Sequence, residues 1–127
     1  MKLSVIADGA VFCDGASAER IEELETQLGR RLPMEYKRLL STTDGFSKSD
    51  GVVVYSSEDV SERNQTLEVE AYAPGYLAIG DDSGGRALLI MFQGAGVFSV
   101  DQGVMDAEEM QQIAPSLTDW LAAGCLM

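Results

Sequence analysis

Histidine is absent from the 127 residues. That removes the commonest general base and the commonest metal ligand, and with them any Ser-His-Asp, Cys-His or H-E-x-x-H arrangement. Cysteine is scarce: Cys13 and Cys125 stand alone, with no C-x-x-C, and two thiols cannot make a zinc site. A chain of this length builds its own core without staples, so the pair reads as two reduced thiols rather than a Cys13–Cys125 bridge, which fits a cytoplasmic location. Long apolar runs are also missing. No stretch approaches the ~18 residues of a membrane span. The run Leu3–Ala7 after Lys2 is broken at once by Asp8-Gly9, so no signal peptide is expected. The Asn64-Gln65-Thr66 acceptor pattern therefore carries little meaning. Basic residues are nearly lacking after Lys48. Met1–Lys48 holds 7 basic and 8 acidic residues, whereas residues 49–127 hold 2 basic (Arg63, Arg86) and 13 acidic. Such a one-sided field repels nucleic acid and anionic membranes and favours a basic protein partner.

What is present describes one α+β domain over residues 1–127, with no repeat, linker or low-complexity tract. Ser17 is a candidate N-cap, Glu19 suits a first turn, and Ile21, Leu24 and Leu28 make an apolar stripe that Gly29 ends. Pro33 opens a second helix with Tyr36, Leu39 and Leu40 inward, closed by Asp44-Gly45. Val52–Tyr55 is strand-like by β-branching, and Ser57 is expected to cap a third helix over Glu58–Glu70 with Val60 and Leu67 inward. Pro74-Gly75 marks a turn. Three strands are expected next, Tyr76–Ile79, Arg86–Phe92 and Val97–Val100, joined by Gly-rich links too short for crossovers. The nearly continuous apolar second strand is expected at the centre, covered on both faces. Residues 107–113 read as a short helical or irregular piece. Ser116 caps a last turn that sends Trp120 and Leu121 onto the sheet. The expected fold is a helical pair packed on an antiparallel meander, with a short C-terminal helix.

A meander brings Asp101 to the same end of the sheet as Asp81 and Asp82, with Asp106, Glu108 and Glu109 at the rim. This acidic lip is the candidate site for a basic partner. Other chemistry fits these residues poorly. Gly80–Ala87 has glycines at P-loop separation, but Arg86 and Ala87 replace the lysine and the magnesium-binding hydroxyl, and two aspartates would repel phosphate. The loop does not meet the calcium-loop pattern. Carboxylates on strands two spacings apart, about 10 Å, are too far apart for a retaining glycosidase and marginal for an inverting one. No metal, no cofactor and no catalytic residue is expected. Arg30, Arg31, Lys37 and Arg38 form a single basic cluster, read as a solvated face beside Glu22, Glu23, Glu25 and Glu35.

The run Gly15-Ala16-Ser17, then Ile21-Glu22-x-Leu24-Glu25-x-x-Leu28-Gly29-x-x-Leu32-Pro33-x-x-Tyr36-Lys37-x-Leu39-Leu40 up to Asp44-Gly45, resembles the opening of the SUKH superfamily. This is the family of cell-wall assembly regulators and bacterial toxin-immunity proteins. Tyr76–Gly85, Val97-Phe98-x-Val100-Asp101 and Ala114–Leu121 are similar to it as well. Arg86 departs from the pattern, which often has an acidic or small polar residue there. The resemblance implies an α+β fold and a cytoplasmic, non-enzymatic protein that neutralises a toxin, often a nuclease, by binding it. A regulatory adaptor role is the alternative within the family, and a small carboxylate hydrolase the alternative outside it. Among matched positions, Leu32, Pro33, Tyr36, Gly45, Gly80, Gly85 and Trp120 are read as keeping the fold. The oligomeric state is left open.

Overall fold

Two helices open the described chain because the local signals for starting and stopping agree with the apolar spacing. Ser17 accepts the Arg20 amide at its Oγ (3.1 Å) and starts α1 (Ala18–Leu28), and Gly29 ends it in the left-handed region at φ 69°. Ile21 and Leu24 face the core. Helix α2 (Met34–Thr42) starts at Pro33 and buries Tyr36, Leu39 and Leu40. Glu25 Oε2 joins the helices by accepting the Leu32 amide (2.7 Å) and meeting Lys37 Nζ (3.2 Å). The computed structural model describes residues 10–127. The stretch before Asp8-Gly9, read above for a signal peptide, lies outside the described residues.

Among the described residues the rest builds a seven-stranded sheet in which every neighbouring pair is antiparallel and the order follows the chain. Its strands are β1 (Ala10–Phe12), β2 (Phe46–Lys48), β3 (Val53–Val54), β4 (Tyr76–Asp81), β5 (Arg86–Met91), β6 (Val97–Asp101) and β7 (Gln111–Ala114). Between β3 and β4 run α3 (Val60–Thr66) and α4 (Val69–Tyr72), and α5 (Leu117–Ala122) follows β7. The expected meander is thus β4-β5-β6 within a wider sheet. Ala87–Ile90 of β5 are all buried, and they divide between two clusters as alternation requires. Leu88 and Ile90 join Leu24, Tyr36, Leu39, Leu40 and Trp120 on the helical-pair face. Ala87 and Leu89 join Val69, Ala73, Ala78, Val100 and Met105 on the other.

Three local expectations are corrected. The helix expected over Glu58–Glu70 is two pieces, broken at Glu68, whose φ of 53° is left-handed. Ser57 does not cap α3. It is buried, and its amide and hydroxyl donate to Asp44 (2.6 and 3.0 Å) while Arg20 donates to its Oγ and carbonyl (3.1 and 2.8 Å). Residues 107–113 do open with a short helical piece, a 3-10 turn (Ala107–Glu109), but from Gln111 they form strand β7 rather than irregular chain.

One side chain completes the sheet where a strand stops short. Strand β4 carries a bulge at Ile79, since the register passes from Ala78 opposite Leu89 to Gly80 opposite Leu88. At Gly80 a Cβ would collide with the Val53 carbonyl oxygen, so this crossing needs glycine. Strand β3 does not reach Ala78. The Asn64 amide takes its place, accepting the Ala78 N–H at Oδ1 (2.8 Å) and donating through Nδ2 to the Ala78 carbonyl (2.9 Å). It does for the edge what a peptide group of another strand would do.

Candidate functional site

The register of β4, β5 and β6 brings the candidate carboxylates to one end of the sheet. Asp81 lies opposite Ala87, and Arg86 lies opposite Asp101. Ser99 opposite Gln111 starts β7 at that end too, so the 3-10 turn with Asp106, Glu108 and Glu109 sits there. The six residues share an end but not a face. Asp81 falls in the row of Ala87 and Val100, on the side of the smaller cluster. Asp101 falls in the row of Arg86, on the side of the helical pair.

Most of these carboxylates also bond to the chain nearby. Asp81 Oδ2 accepts the Tyr55 hydroxyl (2.6 Å) and Oδ1 the Ser83 amide (2.9 Å). Asp82 Oδ1 accepts the Gly84 and Arg86 amides (2.7 and 3.0 Å). The Arg86 amide, aided by that of Gly84 and by the Arg86 charge, holds the Asp82 carboxyl below the usual carboxylate range against the opposing effect of burial. Asp101 Oδ1 accepts the Gly103 amide (2.8 Å), and Asp106 Oδ1 accepts the Glu108 amide (2.9 Å). Within the Gly80–Gly85 turn, the Ser83 and Gly84 amides are thus met by the loop's own aspartates rather than left for a phosphate. Glu108 and Glu109 differ: their side chains are exposed and make no hydrogen bond or ion pair among the described residues.

Two features here were not read from the sequence. Arg86 brings a cation to this end, and its guanidinium donates to Ser99 Oγ (2.9 and 3.3 Å). Asp50 adds a carboxylate: it accepts the Val52 amide (3.2 Å) and pairs with Lys48 (2.9 Å), whose bond holds its carboxyl below the usual range. The Lys48 side chain is itself only 6% exposed, because Nζ also donates to the Gly124 carbonyl (2.7 Å). Charge and turn chemistry mark such residues as polar, but the approach of the chain end after α5 to β2, which brings residue 124 to residue 48, has no local signal.

The positions read as keeping the fold are placed as follows. Leu32, Tyr36 and Trp120 are buried, and Trp120 Nε1 donates to the Leu126 carbonyl (3.0 Å). Pro33 is the N-cap of α2. Gly45 has φ 82°, and a Cβ there would lie 2.7 Å from the Ser56 nitrogen. Gly85 has φ 104° at an open turn. Cys13 is exposed and Cys125 lies in the core, with no disulfide between them. Among the described residues, no group of three or more Cys, Asp or Glu side chains is placed to hold a metal ion. No helix among them is long and apolar enough to cross a membrane.

Comparison with known proteins bears on the arrangement as a whole. The chain is similar to a Bacillus subtilis (strain 168) protein called "Uncharacterized protein YnaB", with 35% identity over 78 residues. That match covers 61% of this chain and 52% of YnaB, so the chain spans about half the length of the curated relative it matches. The model of the SMI1 / KNR4 family (SUKH-1) matches residues 15–123, which include α1, α2, the whole β4-β5-β6 meander and α5. The chain therefore belongs to the SMI1 / KNR4 (SUKH-1) family.

Proposed function

We propose that this chain is a non-enzymatic immunity protein that neutralises a cognate toxin by direct binding, with a basic protein, such as a nuclease, as its target. The observation that carries the reading is the charge division, 13 acidic against 2 basic residues after Lys48, together with a sheet end at which Asp81, Asp82, Asp101, Asp106, Glu108 and Glu109 collect. Such a surface imitates the charge of nucleic acid and competes for a groove built to hold it. It acts in the cytoplasm, without metal or cofactor, by covering the toxin's substrate groove. Steering by a one-signed field makes association fast and salt-sensitive, because the Debye length falls from ~10 Å at 0.1 M to ~3 Å at 1 M ionic strength.

The structure dictates which charges to reverse. Asp81, Asp82, Asp101 and Asp106 hold turns, so their reversal would disturb the backbone as well as the field. Glu108→Lys with Glu109→Lys changes charge alone. The experiment measures on-rate and affinity for the toxin encoded beside this gene, across a salt series. The double variant is expected to lower the on-rate by roughly tenfold at low salt and to flatten its salt dependence. Tight binding indifferent to salt and to the reversal would remove the acidic end from the interface. Turnover of a sugar or phosphodiester substrate by the purified chain would overturn the non-enzymatic reading.

A further inference from the structure

The smaller face of the sheet carries a groove that the acidic end alone does not explain. It lies between α4 and the turn that follows β6, and encloses about 470 Å³. Leu67 is half-buried and Met105 buried, and they form its base. Tyr72 and Val104 stand beside them at 60% and 51% exposure, which is high for an aromatic and a β-branched side chain grouped together. Glu68 and Asp106 line the same groove, and among the described residues no basic one does. A larger groove of about 530 Å³ shares Glu68 and Tyr72 with it but is mixed in charge, and its Arg30 is already stacked on Phe92, 4.2 Å from the ring centroid.

The geometry points to the smaller groove as the docking site for an arginine side chain on a surface segment of a basic protein. An arginine matches it in both parts. The aliphatic stem covers Leu67, Val104 and Met105. The planar guanidinium lies against the Tyr72 ring, within reach of the Glu68 and Asp106 carboxylates. A purely apolar side chain would leave two carboxylates facing it, and an acidic one would be repelled. The inference rests on the reading of this chain as a binder of a basic protein, and it supplies the anchor that an array of solvated carboxylates lacks. Exposed ion pairs contribute little each, whereas an aromatic contact with a buried stem fixes position.

The test is amide NMR of the full chain titrated with a short glycine–arginine peptide, and with the same peptide carrying citrulline, the neutral isostere of arginine. Saturable shifts at Tyr72, Val104 and Met105 are expected with the arginine peptide, and much weaker binding with citrulline. Tyr72→Ala should weaken binding about fivefold, and Tyr72→Phe, which keeps the ring, should not. Tyr72 is mostly exposed, so both variants should fold. Equal binding of the two peptides, or no binding of either, overturns the proposal. Concentration-dependent shifts at the same amides without peptide also overturn it, since they assign the groove to a second copy of this chain. Shifts confined to Asp101 and Glu108, with Tyr72→Ala silent, overturn the groove while leaving the acidic-end reading intact. Toxin association that ignores the Glu108→Lys, Glu109→Lys reversal, with the arginine peptide still held at Tyr72, supports the groove and sinks the acidic end.

Discussion

The two faces of the sheet are built differently. The face under α1, α2 and α5 is filled by large side chains, with Tyr36, Trp120, Leu24, Leu39, Leu40, Leu77 and Leu88 all fully buried. The opposite face is thinner: its buried cluster holds Ala73, Ala78, Ala87, Val69 and Val100, with Leu89 and Met105 as its only larger members among the described residues. Small residues let the single turn of α4 approach the strands closely, but they leave little apolar area to hold it there. The first face stores the stability. The second gives up packing and presents side chains such as Tyr72 and Val104 to the outside.

The sharpest way to break this contrast is to truncate one residue on each face. Trp120→Ala should cost about 3–5 kcal/mol, from the cavity it opens and the lost bond to the Leu126 carbonyl, whereas Val69→Ala should cost about 1–2 kcal/mol. Urea unfolding of the two variants measures both, and equal losses would erase the distinction. Asn64 links the faces, so Asn64→Ala should fall between them, at about 2–3 kcal/mol, because it leaves the Ala78 N–H and carbonyl without their partner. A matching rise in hydrogen exchange at the Ala78 amide would confirm the cause.

Alkaline pH probes the boundary between the acidic end and the first core. Burial, and then the bond to Asp81, push the Tyr55 hydroxyl up to about 12 from the ordinary value of 10.0. The folded state then holds its proton more tightly than the unfolded state, so the stabilisation is complete below pH 10 and is lost as pH rises to about 12. Melting temperatures measured across that range should fall, and Tyr55→Phe should make the fall shallower. The smallest effect is expected at Tyr36. Burial and the nearby Asp44 push its hydroxyl well above the ordinary range, and that hydroxyl has no hydrogen-bond partner among the described residues. Tyr36→Phe should therefore shift stability by less than about 0.5 kcal/mol, or raise it, since it removes a buried polar atom with nothing to pair with. A loss of more than about 2 kcal/mol would mean that the hydroxyl is bonded after all.

The parts legible in the sequence were those whose signal is local. Ser17, Gly29 and the stripe Ile21-Leu24-Leu28 mark α1 without help from the rest of the chain, and the unbroken apolar run of β5 marks a strand covered on both sides. Strands β1 and β2 escaped because three residues such as Ala10-Val11-Phe12 or Phe46-Ser47-Lys48 are too few to show a period. Strand β7 escaped because Gln111 and Gln112 lie on an edge and face solvent. Ser57 has the side chain of a cap, and only the folded chain brings Arg20 and Asp44 to claim it. Of the candidate site, the gathering of Asp81, Asp82 and Asp101 follows from strand order alone. The exposure of Tyr72 does not, because it depends on the left-handed break at Glu68, which no periodicity announces.

The Lys48 clamp sets an order of events in synthesis. Neighbouring strands pair in the order in which they leave the ribosome, so the meander can zip up as it emerges. The lysine on β2 meets its carbonyl partner only when Gly124 arrives, 76 positions later. Until then a side chain destined for the interior keeps its charge in water, and the edge formed by β1 and β2 stays loosely held. A nascent chain halted before α5 should therefore carry a protease-sensitive β1–β2 edge beside an already protected centre.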